Sequence, residues 1–431
     1  MMKETFYPQL DERLLTGRLS NGLDVIILPR PGFSRKLAYF VTDFGAIHTE
    51  FSLDGKDYTV PAGVAHYLEH KLFDMPDRDI TAEFSALGAV PNAFTSYDLT
   101  AYHFSCTENF YESLSLLLEF VSTPYFTEQS VAKEQGIIGQ EIDMNADNPD
   151  TRVFENLMKA MYCKHPIRVP ILGDRESIAT ITPQILHLCH KAFYHPSNML
   201  LCIVGDVDPQ RVCALAEQIL PNTPAPQVTV CRSWQEELCC HRADTREQME
   251  VAMPMFQLGF KCPDPGKGEA SVRQEFIGDL ATEALFGESS QLYLQLYQQG
   301  LIDASFGGGF ETVEGMAMLT ASGDSRDPEA VRDAIVAQAR KLVREGIDEK
   351  TFLRLKRSAM GHRIRRLDSF DASAFALSAC HFTDFDFFRF PQVYRSIGKE
   401  DIIDFIQQKV CNGSMSLSVV APLQETKEEI E

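Results

Sequence analysis

The sequence predicts an α+β protein built as two similar halves. Three observations carry this. Short apolar strands and amphipathic helices are interspersed along the whole chain. Residues 181–205 can be laid on 397–421 with a constant shift of 216, so that Met199, Leu201, Ile203 and Val204 meet Met415, Leu417, Val419 and Val420. Between the halves lies Pro221-Asn222-Thr223-Pro224-Ala225-Pro226, the clearest linker in the chain. The expected division is a first domain over 1–220, a linker over 221–240 and a second domain over 241–431 that ends in an acidic tail, Glu425 to Glu431.

Taken in order, Leu19 to Gly22 reads as a turn and Leu23 to Pro29 as a strand that Pro29 stops. Leu37 to Thr42 is a second strand, and Asp54 to Pro61 a loop. A helix follows through Gly63-Val64-Ala65-His66-Tyr67-Leu68-Glu69-His70-Lys71-Leu72-Phe73. Asp79 to Leu87 is a short helix ended by Gly88. Val90 to Tyr97 and Thr100 to Ser105 are strands, the first an edge strand because Pro91 has no N–H to give to a ladder. Glu108 to Val121 is amphipathic, with Leu114, Leu117 and Leu118 inward. Thr127 caps a long helix that Pro149 kinks or ends. Thr182 to Tyr194 and Asp208 to Leu220 are helices flanking the core strand Met199 to Val204. In the second half, Glu250 to Lys261 reads as one strand. Helices are expected over Ser271 to Phe286, Ser290 to Gln299, Pro328 to Glu345 and Glu349 to Leu367, with a hairpin from Ala304 to Ser322. Gly307-Gly308-Gly309 is no phosphate loop, since no strand–helix junction follows; it lets two backbones approach. The basic run from His362 to Arg366 is a solvated helix face.

The chemistry concentrates at His66, Glu69 and His70. Histidines four apart on a helix stand one above the other and can share a metal ion. Val64, Leu68, Leu72 and Phe73 set an apolar stripe beside them, so the helix is packed and its ligands are held still. A catalytic zinc site needs a third protein ligand and an open position. The best source lies downstream, where Glu134 and Glu141 are two helical turns apart beside the apolar stripe Val131, Ile138 and Ile142. A carboxylate at the edge of a buried stripe wants a counter-charge, and a metal supplies one. His103, His165, His187, His190 and His195 read as packing groups.

Composition narrows the class. The 431-residue chain has an ordinary apolar fraction of 44%. No apolar run reaches the roughly 18 residues of a membrane span. The first residues, Met1 to Pro8, lack an apolar signal core, so a cytoplasmic protein is expected. Eleven scattered cysteines without a Cys-x-x-Cys pair suit reduced thiols rather than a disulfide frame or a thiolate zinc site. A formal charge of -21 repels phosphate backbones and argues against nucleic acid.

The order H-x-x-E-H reverses the common zinc-protease order, and the constellation resembles the pitrilysin–insulinase family of zinc metallopeptidases, the inverzincins. Glu141 follows His70 by 71 residues, and Glu134 stands where that family has a helper glutamate. Asn92-Ala93-Phe94-Thr95, Asp147-Asn148-Pro149, and Tyr194-His195-Pro196-Ser197-Asn198-Met199 with Gly205-Asp206 are further family-like pieces. The resemblance is strongest over residues 15–220 and is closest to the two-domain bacterial branch encoded as zinc-bearing and zinc-less pairs. It implies two homologous domains, each a mostly antiparallel sheet packed on helices, as in mitochondrial-processing-peptidase-like metallohydrolases. It implies Zn2+ held by His66, His70 and Glu141, with Glu69 as general base and Glu134 in support. It implies that Asn92, Ala93 and Phe94 align substrate beside the metal. The internal repeat adds that only the first copy is expected to bind metal: with Leu285-Phe286 laid on Leu72-Phe73, the stretch Leu280 to Ala284 has no H-x-x-E-H.

The chain departs from the family in its second half. Self-sufficient members carry an Arg and a Tyr that hold substrate; Tyr297 and Asp303 stand in those places here. The expectation is a zinc-dependent endopeptidase acting on peptides or small unfolded precursors. A homologous zinc-less subunit would complete it as a heterodimer, or a second copy as a homodimer. The alternatives are a non-catalytic assembly subunit that retains a metal site and, more remotely, a metal-storage or sensing protein.

Overall fold

The computed structural model describes residues 2–232 and 234–423; the expected acidic tail lies outside them. The strands, in chain order, are β1 (Lys3–Tyr7), β2 (Glu12–Arg18), β3 (Asp24–Pro29), β4 (Lys36–Thr42), β5 (Glu50–Leu53), β6 (Lys56–Thr59), β7 (Asp74–Met75), β8 (Arg78–Asp79), β9 (Val90–Thr95), β10 (Thr100–Cys106), β11 (Met199–Gly205), β12 (Val228–Val230), β13 (Asp244–Met249), β14 (Met255–Cys262), β15 (Gly307–Val313), β16 (Met316–Asp324) and β17 (Ser414–Pro422). They fall, with the helices, into two compact units. Among the described residues no helix is long and apolar enough to cross a membrane.

The first unit holds residues 1–142, 170–232 and 362–389. Its sheet runs β1-β2-β3-β11-β4-β10-β9. β11 is the centre: every residue from Met199 to Gly205 is buried, which an unbroken apolar run requires of a strand covered on both faces. It pairs parallel with β3 and antiparallel with β4; the remaining pairs are antiparallel. β9 lies at the edge, as Pro91 predicts. The expected loop over 54–61 is instead a hairpin, β5 to β6, closed by Asp54 at φ 52 and Gly55 at φ 80. Consecutive left-handed residues at an Asp-Gly pair are the tight hairpin turn, a signal that the polar composition hid. β12 pairs with β5, so part of the stretch read as linker is a strand of this unit.

The second unit holds residues 143–169, 233–361 and 390–431. The chain is therefore not divided by one cut at 221–240. Pro149 neither kinks the preceding helix nor merely ends it. Asn148 caps a new helix, Pro149–Met161, whose Oδ1 accepts from the Asp150 and Thr151 N–H groups. Val153, Leu157, Met158 and Met161 are buried there, and the helix packs on β14 and β17. Gly259 permits this approach, since a Cβ there would lie 2.3 Å from Met161 Sδ. The strand expected over 250–261 starts later, at β14, and a separate strand, β13, precedes the expected range. β13 ends at Met249 and β14 begins at Met255, just after Pro254, which has no N–H for a ladder.

The second sheet runs β13-β17-β14-β16-β15. That repeats β3-β11-β4-β10-β9, including the single parallel pair, here β13 with β17. The strands matched by the 216-residue shift, β11 and β17, hold the same place in each. The helix Gly268–Phe286 packs on β15 as the helix Val64–Leu72 packs on β9. Gly308 carries the close approach expected of the glycine run: a Cβ there would meet the Thr320 carbonyl oxygen at 2.0 Å, whereas Gly307 and Gly309 face open space.

Candidate metal centre

Two helices of the first unit build the site. The helix Val64–Leu72 buries Val64, Ala65, Tyr67, Leu68 and Leu72 in the core. It starts from Gly63 at φ 86, where a Cβ would lie 2.3 Å from the Leu172 carbonyl oxygen, so only glycine fits that start. The helix Glu128–Ala146 is fixed at its start by a reciprocal cap. The Ser130 N–H donates to Thr127 Oγ1 at 3.1 Å, and the Thr127 N–H to Ser130 Oγ at 3.2 Å. Its buried face carries Val131, Glu134, Ile138 and Gly139. Tyr67 Oη donates to the Val131 carbonyl and ties one helix to the other.

His66, His70 and Glu141 come together: one ligand atom from each lies within 4.8 Å of the others. His66 Nε2 is 3.6 Å from Glu141 Oε1, and His70 Nε2 is 3.7 Å from Glu141 Oε2. Ligands about 2.0–2.2 Å from a tetrahedral zinc stand about 3.3–3.6 Å apart, so the two contacts that Glu141 makes with the histidines are already close to the spacing that such an ion requires. Among the described residues this is the only such group of three.

Electrostatics favours the same reading. Burial, assisted by neighbouring His70, drives the His66 pKa down to about 3. The contact with Glu141 is then not an ion pair, because His66 is neutral. Neutral imidazole is the form that ligates metal. His66 Nδ1 is buried without a hydrogen-bond partner among the described residues. His70 differs. Burial is the largest influence on it and pushes its pKa down, but the Glu134 hydrogen bond and the carboxylates of Glu69, Glu134 and Glu141 outweigh that and raise it. His70 Nδ1 and Glu134 Oε1 lie 3.0 Å apart, the geometry of a carboxylate that orients a ligating histidine. Glu134→Gln is expected to weaken Zn2+ binding about 10- to 100-fold, read by competition with a chelating dye; unchanged affinity would remove Glu134 from the site.

Glu69 is buried beside the triad. Burial raises its pKa, the Thr95 hydroxyl opposes this, and Thr95 Oγ1 donates to Glu69 Oε2 at 2.7 Å. Thr95 belongs to the Asn-Ala-Phe-Thr piece of the sequence, but nothing in the local pattern marks it as a partner of Glu69.

The other candidates divide. The Ser96 N–H donates to the Leu99 carbonyl at 2.8 Å. By the alternation of an antiparallel pair, Asn92 and Phe94 turn their backbone groups toward β10, and Ala93 and Thr95 turn theirs to the free edge. Pro91 also falls on an outward position, so its missing N–H removes no ladder bond. Asn92 Oδ1 accepts from the Ala93 N–H at 2.9 Å. The Phe94 ring packs with Tyr39, His103 and Phe375 and is not gathered at the triad.

In the second unit, laying Leu285-Phe286 on Leu72-Phe73 puts Asp279, Thr282 and Glu283 in the places of His66, Glu69 and His70. Tyr297 is exposed and stacks on Tyr293, with ring centroids 6.1 Å apart. Asp303 Oδ1 accepts from the Ser305 N–H at 2.8 Å and hydroxyl at 2.6 Å. His165 and His190 bond backbone carbonyls of Glu314 and Val121 through Nε2, as packing groups do.

Comparison with known proteins gives a consistent result. A family model described as Insulinase (Peptidase family M16) matches residues 56–175, and one described as Peptidase M16 inactive domain matches residues 180–359. A Bacillus subtilis chain named uncharacterized zinc protease YmfH is 38% identical over 98% of this chain and 100% of its own length. A Rickettsia felis zinc protease is 26% identical over 49% of this chain and 51% of that protein. The crystal structure of an M16-like peptidase from Alicyclobacillus acidocaldarius superposes with a TM-score of 0.91 at 31% identity, covering 96% of this chain and 99% of that one. The periplasmic protease PqqL from Escherichia coli shares the fold, with a TM-score of 0.73 at 19% identity over 95% of this chain and 48% of PqqL. With its metal-type triad carried on H-x-x-E-H and its full-length likeness to YmfH, the chain belongs to the pitrilysin–insulinase family, peptidase family M16.

Proposed function

We propose that this chain is the zinc-bearing subunit of an endopeptidase that hydrolyses peptides or small unfolded precursors. One observation carries the reading: three ligand atoms from two packed helices converge beside a buried carboxyl. His66, His70 and Glu141 would hold Zn2+, with Glu134 steadying His70. When bound, the ion supplies a Lewis acid that activates water and polarises the scissile carbonyl. Glu69 takes the proton from the attacking water and passes it to the departing amine, which its position next to His70 and its raised pKa suit. The outward backbone groups of Ala93 and Thr95 pair with an extended peptide, which lays the scissile bond alongside the site. Asn92 then swings from the Ala93 N–H that it covers.

Tyr297 and Asp303 favour a second component. An exposed tyrosine and a turn-capping aspartate replace the cationic and phenolic groups that would grip substrate, so we assign that grip to a homologous zinc-less subunit. The same substitutions favour the alternative, an assembly subunit without catalysis of its own. The Zn2+-loaded chain, assayed on unstructured peptides alone and with its zinc-less homologue, is expected to turn over at full rate only in the mixture, and to stop when the metal is chelated. Full turnover by the isolated chain would refute the partner, and no turnover in any mixture would leave the assembly reading.

A further inference from the structure

We propose that Thr95 is a positioning residue that fixes the orientation of the Glu69 carboxylate from the edge strand β9, so that the strand that receives the peptide also aims the base. The inference rests on the general-base reading above. It starts from an inequality among the site groups. His70 is braced by Glu134 at 3.0 Å, and both histidines face Glu141. The Glu69 carboxylate receives one hydrogen bond among the described residues, from Thr95 Oγ1 to Oε2 at 2.7 Å. The terminal torsion of a glutamate is broad, so without a partner the carboxylate plane is free to turn away from the attacking water. The Thr95 hydroxyl on Oε2 holds that plane at one angle and leaves the other acceptor sites of the carboxylate for the proton.

The brace is stiff. Thr95 is β-branched, with few χ1 choices on a strand, and the residues on either side of it, Phe94 and Ser96, turn their backbone groups inward to the neighbouring strand, Ser96 through its bond to the Leu99 carbonyl. Thr95 shares its strand face with Ala93, one residue pair along, and both turn their backbone groups to the free edge. The helix Val64–Leu72 packs against this strand. Peptide pairing on that edge and the aim of Glu69 are therefore joined in one residue. Thr95→Val keeps shape, β-branching and all backbone groups, and removes only the hydroxyl.

The test uses the full chain, Zn2+-loaded and mixed with its zinc-less homologue. A hydrogen bond to a charged group corresponds to about 10- to 100-fold in rate. Thr95→Val is expected to lower kcat by about that factor, with KM and zinc content unchanged. Thr95→Ser should restore most of the rate, and Thr95→Val should add nothing to Glu69→Gln. A second readout does not depend on turnover: the Glu69 carboxyl band, isolated as an infrared difference between wild type and Glu69→Gln, should shift in Thr95→Val. Wild-type kcat in Thr95→Val beside an inactive Glu69→Gln overturns this proposal alone, as does an unshifted band or a Thr95→Ser as slow as Thr95→Val. Wild-type turnover in Glu69→Gln overturns both this proposal and the general-base reading on which it stands.

Discussion

Glu69→Gln is expected to lower kcat for peptide hydrolysis about 10²- to 10⁴-fold, the usual contribution of a positioned proton acceptor, while KM and zinc content stay at wild-type values. The substitution changes little else. Glutamine has the same length, and its amide oxygen can still accept from Thr95 Oγ1, so the side chain stays where Thr95 and the helix put it. Metal affinity is expected to be spared because the group that could hold the ion is His66, His70 and Glu141, without Glu69. What is lost is basicity. Burial raises the Glu69 pKa, which strengthens it as a base, and an amide has none of that capacity. The measurement is kcat and KM of the mixed complex beside metal content by mass spectrometry. Equal turnover of wild type and variant would end the assignment of Glu69, whatever the metal content.

Glu236→Gln should produce a large loss of stability. Lys261 and Glu236 pair at 2.9 Å with side chains 2% and 10% exposed. Lys261 Nζ also donates to the Met161 carbonyl at 2.7 Å and the Cys239 carbonyl at 3.2 Å. Glu236 accepts from the N–H groups of Cys163, Lys164 and His165. Breaking a buried pair by neutralising one partner leaves an uncompensated charge and costs about 3–5 kcal/mol. The pH dependence points the same way. Burial pushes the Glu236 pKa up, but Lys261 and the three N–H groups more than reverse it, to about 2. A carboxyl lowered from about 4.3 to that value gives up to about 3 kcal/mol of stability. This stability is complete above the unfolded pKa and is lost as the pH falls through the folded one. Urea unfolding of wild type should therefore weaken between about pH 5 and pH 2, and Glu236→Gln should be weaker at pH 7 with that part of the acid limb removed. Matching urea midpoints at pH 7 would show that the pair contributes nothing net.

Much of the site was legible because its spacings are helical. Two histidines one turn apart and two glutamates two turns apart share faces whatever surrounds them, and Tyr67 and Val131 merely bring those faces together. The edge position of β9 followed from Pro91, and the central place of β11 from its unbroken apolar run. The misread parts were of another kind. The Asp54-Gly55 hairpin is a local signal passed over because its flanks are polar. The helix Pro149–Met161 follows the Glu141 helix closely in sequence, yet it packs in the second unit, because Gly259 leaves room there for Met161.

By itself the sequence determined which side chains line up along one helix or one strand, because the 3.6- and 2-residue periods are properties of the backbone and need no neighbours. It thereby determined the duplicated core strand, the two helix faces that carry the candidate ligands, and the family. Tertiary structure alone decided which faces meet. It set Glu141 against the two Nε2 atoms, put Thr95 on Glu69, matched Glu236 to Lys261 and gave residues 143–169 to the second unit. Contacts between segments distant in the chain are fixed by packing volume and by the pairing of buried polar groups, and neither quantity has a period that a linear sequence can display.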